Sequence, residues 1–98
     1  MFEIRVGEQG EVVLTGRLDA AQCDKALHFL DGVPAPRVID LAGLEYISSA
    51  GLGVLLKTQK RIMAGGHGLR LVNANKHIRD IFKYAGFDRI FEIPPAGG

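Results

Sequence analysis

The chain is expected to fold as one α/β domain: a mixed, largely parallel four- to five-stranded sheet with helices packed against it. Three observations predict this. Short strand-like runs are separated by segments whose apolar residues recur at i, i+3, i+4 and i+7. The first two runs are joined by a glycine-bearing turn, which makes them antiparallel neighbours. The later strands follow helices, and strands joined through helices lie parallel in one sheet. No repeat or long linker divides the sequence, so residues 1–98 are read as a single domain, with 93–98 as a flexible tail.

The elements follow in order. Phe2 to Val6 and Glu11 to Leu18 read as strands, with Gly7-Glu8-Gln9-Gly10 as the hairpin turn. Asp19 to Gln22 has the spacing of a capping box, and Leu18 can pack near Cys23 as a staple. Cys23, Ala26, Leu27 and Leu30 form one apolar helical face, ended at Gly32 to Pro36 because proline cannot continue a helix. Arg37 to Leu41 reads as a strand, and 42–47 as a loop. A second helix opens at Ala50. Its spacing turns Leu52, Leu55, Leu56, Gln59, Ile62 and Met63 inward and Val54, Lys57, Thr58 and Arg61 outward. Leu69 to Val72 is a further strand, Asn75 caps a third helix, and Ile78, Ile81, Phe82 and Ala85 form that helix's core face. Gly86 suits its C′ position. Ile90 to Ile93 reads as a last short strand.

Composition narrows the functions. A formal charge of +1 and the absence of a basic stripe argue against nucleic acid as a partner. No stretch reaches the roughly 20 apolar residues that cross a bilayer, so no direct membrane insertion is expected. Met1 to Val6 lacks the apolar run of a signal peptide. The single cysteine excludes an internal disulfide, and a soluble, cytoplasmic protein is the expectation.

Signals for catalysis are weak. His28, His67 and His77 are scattered, without metal-ligand spacing. Gly51-Leu52-Gly53 lacks the third glycine of a dinucleotide fingerprint, and there is no phosphate-loop lysine. Ser49 lacks the Gly-x-Ser-x-Gly elbow. Cys23 lies on an apolar stripe, as a packed thiol does. No enzyme activity, metal or cofactor is expected.

The chemistry gathers at Ser48 and Ser49, where a strand-like run meets a helix. Free N–H groups and the positive end of the helix dipole favour a capping hydroxyl there, and the same place also suits a phosphate. Asp40 is either a turn residue or an organiser of the serine loop. The outward face of the second helix beside the serines is either solvated or a docking patch.

Val38-Ile39-Asp40-Leu41-Ala42-Gly43-Leu44 followed by Tyr46-Ile47-Ser48-Ser49-Ala50-Gly51-Leu52-Gly53-Val54-Leu55-Leu56 resembles the signature of the STAS domain. More narrowly, it resembles the stand-alone bacterial anti-sigma-factor antagonists. Gly16-Arg17-Leu18-Asp19, Leu71-Val72-Asn73 and Phe82 to Phe91 extend the resemblance over nearly the whole chain. The resemblance implies a phosphorylation-controlled partner switch. The unphosphorylated form binds an anti-sigma factor that is also a serine kinase, and phosphorylation of Ser49 releases it. A serine phosphatase of the metal-dependent type then restores binding. Ser48 is a secondary phosphorylation candidate. Partner contacts are expected from Asp19, Ser48, Ser49, Ala50, Gly53, Val54, Lys57 and Arg61. Many members carry an acid before the phosphoserine and a second serine after it, where this chain has Ser48 and Ala50. The alternatives are a constitutive STAS subunit of a larger assembly, such as a lipid-transport ATPase complex, and a small nucleotide-binding or hydrolytic protein.

Overall fold

The turn at Gly7–Gly10 closes an antiparallel hairpin between β1 (Phe2–Val6) and β2 (Val12–Leu18). Gly10 makes it possible by taking φ +83°, and its N–H donates to the Gly7 carbonyl at 3.1 Å. The computed structural model describes residues 1–94. Within them follow α1 (Cys23–Asp31), β3 (Val38–Ile47), α2 (Ser49–Ala64), β4 (Arg70–Val72) and α3 (Lys76–Tyr84). The sheet order is β1-β2-β3-β4, antiparallel at the first pair and parallel at the other two, which is the mixed architecture expected from the sequence.

The parallel steps β2 to β3 and β3 to β4 run the same way across the sheet. Right-handed crossovers therefore put α1 and α2 on one face. Leu14, Leu41, Leu44 and Leu71 from the sheet are buried with Leu30, Leu55, Ile62, Ile78 and Phe82 from the helices. The opposite face carries exposed Glu3, Arg5, Arg17 and Arg70, with the Arg17 guanidinium 4.4 Å above the Tyr46 ring.

Several expectations are corrected. The loop expected over 42–47 is instead the second half of β3, ten residues long. Its inward residues are Ile39, Leu41, Leu44 and Ile47, spaced by two, three and three. The register against β2 shifts between Val13 and Thr15 and again between Gly16 and Arg17, each time adding one residue on β3. These bulges break the period of two while keeping Leu44 and Ile47 inward.

Residues 90–93 do not form a strand either. A turn at Phe87–Arg89 puts Phe87 and Phe91 on one side at helical spacing, their rings 4.8 Å apart, and only Glu92 bridges to Arg70. Ala85 is exposed because α3 ends there; Gly86 takes the left-handed conformation expected of it. Part of the expected tail, 95–98, lies outside the described residues.

Candidate functional site

β3 delivers the chain to Ser48, whose backbone is extended (φ −87°, ψ 172°) and whose N–H donates to the Leu18 carbonyl at 3.0 Å. The start of α2 is thereby fastened to the end of β2. The Ser48 Oγ accepts from the Gly51 N–H at 3.1 Å, so Ser48 is the N-cap. Ser49, the first residue of α2, is exposed, and its hydroxyl makes no hydrogen bond to any described residue. The two adjacent hydroxyls thus have different positions: one closes the helix, the other stands in solvent beside the free N–H groups of the first turn. Ser48→Ala should lower stability by about 1 kcal/mol, read as a fall in the urea midpoint. An unchanged midpoint would refute the capping role.

Gly51 seats the helix. A Cβ there would lie 2.8 Å from Ile47 Cγ1 and 3.0 Å from the Leu18 carbonyl oxygen, too close for any side chain without displacement. With Gly51 against the sheet, the buried face of α2 is Gly51, Val54, Leu55, Thr58, Gln59 and Ile62. This corrects the expected orientation. Val54 is only 4% exposed and Thr58 1%, so neither belongs to an outward docking patch. Met63, expected inside, is 57% exposed. The residues facing outward from Ser49 are Ala50, Gly53, Lys57 and Lys60, flanked by half-buried Leu52 and Leu56. Leu52 and Leu56, expected inside, are only partly buried against the core, because the apolar run 52–56 marks a helix without marking its inward side. The small residue at 51, in line with Thr58 and Ile62, was the available signal.

Arg61 is also reassigned. Its Nη2 donates to the carbonyls of Leu30 at 2.8 Å and Val33 at 3.2 Å, closing the C-terminal end of α1. Asp31 lies beyond hydrogen-bond range of its Nε, at 3.8 Å. Nη2 is thus committed within the fold, while the side chain remains 35% exposed.

The Asp19 capping box does not form. Asp19 precedes a short 3-10 turn, Ala20–Gln22, and its side chain makes no cap bond; Gln22 is the N-cap position of α1. The turn uses backbone instead: the Asp19 carbonyl accepts from the Gln22 N–H at 3.0 Å and from Cys23 Sγ at 3.2 Å. Asp19 Oδ1 is buried without a protein hydrogen-bond partner. Asp19 directly follows Leu18, whose carbonyl receives the Ser48 N–H, so its backbone lies beside the start of α2. Burial pushes the Cys23 thiol up; contact with Ser48 acts the other way, and the Asp19 and Asp24 charges add to the rise. The thiol therefore stays protonated near neutrality and is a poor nucleophile. Asp40 does not reach the serines: its Oδ1 accepts from the Ala42 N–H at 2.9 Å and from Asn73 Nδ2 at 3.2 Å, bracing the first bulge of β3.

Among the described residues no group of His, Cys, Asp and Glu is placed to hold a metal, and no helix is long and apolar enough to cross a membrane. What the geometry presents is a small α/β domain with one exposed hydroxyl, that of Ser49, at the tip of a well-anchored helix. The chain belongs to the STAS domain family: a family model described as "Mlab, STAS domain" matches residues 2–93. It is 41% identical over 56 residues to BtrV of Bordetella bronchiseptica, provisionally described as an anti-sigma factor antagonist. That match spans 57% of this chain and 48% of BtrV, so about half the length of that relative is covered. Among solved structures, an anti-sigma factor antagonist from Mycobacterium paratuberculosis superposes with a TM-score of 0.78 at 22% identity, covering 99% of this chain and 86% of the other. The Bacillus cell fate determinant SpoIIAA in its phosphorylated form gives 0.65 at 18% identity, covering 97% and 92%. SpoIIAA in its unphosphorylated form gives 0.70 at 17%, covering 98% and 89%. At these identities the superpositions establish a shared fold.

Proposed function

We propose that this chain is an anti-sigma-factor antagonist: a binding protein that holds an anti-sigma factor with serine kinase activity while Ser49 is unmodified, and lets it go once Ser49 is phosphorylated. The observation that carries the proposal is the division between the serines. Ser48 is occupied as the cap, whereas Ser49 is exposed at the first turn of α2. A phosphate on Ser49 adds about −1.5 to −2 charges at pH 7 and lies where the helix dipole and free N–H groups favour an anion. The domain can accept that charge more readily than a partner surface docked on it.

The docking surface in this reading is Ser49, Ala50, Gly53 and Lys57, with the edges of Leu52 and Leu56 adding apolar area and Asp19 contributing charge from beside the helix start. A metal-dependent serine phosphatase completes the cycle, and the setting is the cytoplasm, where ATP supplies the phosphoryl group. The relatives support the class, being antagonists by name, and SpoIIAA supports the chemistry, since a domain of this fold exists in a phosphorylated form. Such a chain accepts a phosphoryl group and contributes no catalytic residue.

The test is peptide mass spectrometry of the protein after incubation with Mg-ATP and lysate of its native cell, with Ser49→Ala in parallel. The expected result is one phosphate on the Ser48–Ser49 peptide, placed at Ser49 and absent from the variant. Phosphate on Ser48 alone would overturn the site assignment. No phosphate from a lysate with active kinases would favour a constitutive STAS subunit of a larger assembly.

A further inference from the structure

β1 is one edge of the sheet, and its geometry fixes which backbone groups face outward. Its register against β2 runs from Phe2 opposite Gly16 to Val6 opposite Val12. At the ends of this ladder the Arg17 N–H donates to the Met1 carbonyl at 2.9 Å and the Gly7 N–H to the Glu11 carbonyl at 2.7 Å. Hydrogen-bonded and non-bonded pairs alternate along an antiparallel ladder. Glu3 and Arg5 therefore direct their N–H and C=O groups at Thr15 and Val13. Phe2, Ile4 and Val6 direct theirs away from the sheet, and among the described residues nothing pairs with them.

Apart from its two charged residues, Glu3 and Arg5, this edge lacks the usual protection against strand pairing. Phe2–Val6 holds no proline, lysine or bulge, whereas β4 at the other edge is three residues long and bridged by Glu92. The side chains of β1 are divided by face. Glu3 and Arg5 are exposed on the open face of the sheet; Phe2 and Ile4 belong to the apolar layer beneath the helices, and Val6 is 48% exposed.

We propose that two copies of this chain associate edge to edge through β1, antiparallel across a two-fold axis at Ile4, so that the two sheets become one. The outward groups require the hydrogen-bonded pairs to be Ile4 with Ile4 and Phe2 with Val6 of the second copy, two N–H···O=C bonds in each pair. Glu3 then faces Arg5 of the second copy in a non-bonded pair, where Cα atoms are only about 4.5 Å apart and side chains approach closely. This happens twice by symmetry. Val6, 48% exposed, lies opposite Phe2 of the other copy on the same face of the joined sheet, while Phe2 itself stays packed in its own core. The charges also select the register. The outward groups allow slips only in steps of two residues along the pair, and the neighbouring registers oppose Glu3 to Glu3 or Arg5 to Arg5, which is unfavourable. The self-complementary sequence Phe-Glu-Ile-Arg-Val thus meets what a two-fold interface demands of one patch.

The contact is short, so a weak dimer is expected, with a dissociation constant on the order of 100 µM. Sedimentation equilibrium of the full chain should show it over a range of about 10 µM to about 1 mM. Amide exchange by NMR should report the same event residue by residue. Protection at Phe2, Ile4 and Val6 should rise with concentration, while Glu3 and Arg5 stay protected throughout. Arg5→Glu should weaken the dimer about tenfold, and adding Glu3→Arg to it should restore the parent affinity within about threefold. Because both positions are exposed and the double variant regains the contact, a folding defect would be recognised. A monomer over the whole range, or concentration-independent exchange at the three outward amides, would overturn the proposal. So would a dimer indifferent to both charge changes.

Discussion

Ser49→Asp is expected to leave the domain folded and slightly more stable, yet to bind the anti-sigma partner about 150-fold more weakly, a coupling of about 3 kcal/mol. The two effects have opposite signs for one physical reason. A negative side chain in the first turn of α2 meets the positive end of the helix dipole, contributing roughly 0.3–1 kcal/mol to stability. In the complex, the same charge is enclosed against a surface fitted to a neutral hydroxyl, where desolvation and lost contact oppose binding. Thermal melting and titration calorimetry with the purified partner would read both. The phosphoprotein, with up to twice the charge of aspartate, should bind more weakly still. Equal affinity of the parent and Ser49→Asp would refute the placement of Ser49 within the docking surface. A large loss of stability would instead show that the hydroxyl matters to the fold.

Phe82→Ala should be the most destabilising of the simple truncations, at about 3–5 kcal/mol. Phe82 is 1% exposed and stacks on Phe87 with ring centroids 5.4 Å apart; Phe87 in turn meets Phe91. It is also one of only two fully buried side chains by which α3 holds to the body, the other being Ile78. Removing the ring leaves a cavity in a layer supported from one side and frees the 87–91 turn. Total stability of small domains is of order 5–15 kcal/mol, so this loss is a large share of it. Urea denaturation should show the midpoint falling sharply. The melting temperature should drop by on the order of 20 °C, given 4–8 °C per kcal/mol in a domain of this size. A loss below about 1.5 kcal/mol would mean that the aromatic column relaxes into the gap and does not anchor α3.

These outcomes rest on features that were unequally readable in the sequence. The β1–β2 hairpin, the apolar face of α1, the Asn75 cap and the Gly86 stop were legible because each is set by local chemistry. Asn75 Oδ1 does accept the Ile78 N–H at 2.9 Å. The second half of β3 was hidden by its two bulges, since an added residue changes the burial period and a bulge depends on the neighbouring strand. The location of the serine pair was legible, and the division of labour within it was not: cap and free hydroxyl differ by one residue of helix phase. Asp19 and Gln22 have the right spacing for a box, but the chain makes a 3-10 turn before α1 begins, and spacing carries no record of that turn. Arg61 reads as a surface cation until the end of α1 is placed beside it. For α2 the apolar run was too broad to define a face, so Val54 and Thr58 were turned outward; tertiary packing at Gly51 decided the matter.

α2 is held at both ends. At its start, Ser48 is tied to Leu18 and Gly51 is pressed against the end of β2. Toward its end, the buried amide of Gln59 accepts the Leu69 N–H at 2.8 Å and donates to the Ile90 carbonyl at 2.7 Å, while Arg61 grips α1. A rod clamped in this way has little freedom to slide when its tip is recharged. On the partner-switch reading, the work done by a phosphate is then not dissipated in rearranging the domain. It is delivered to the contact itself, and one modified atom governs a whole interface.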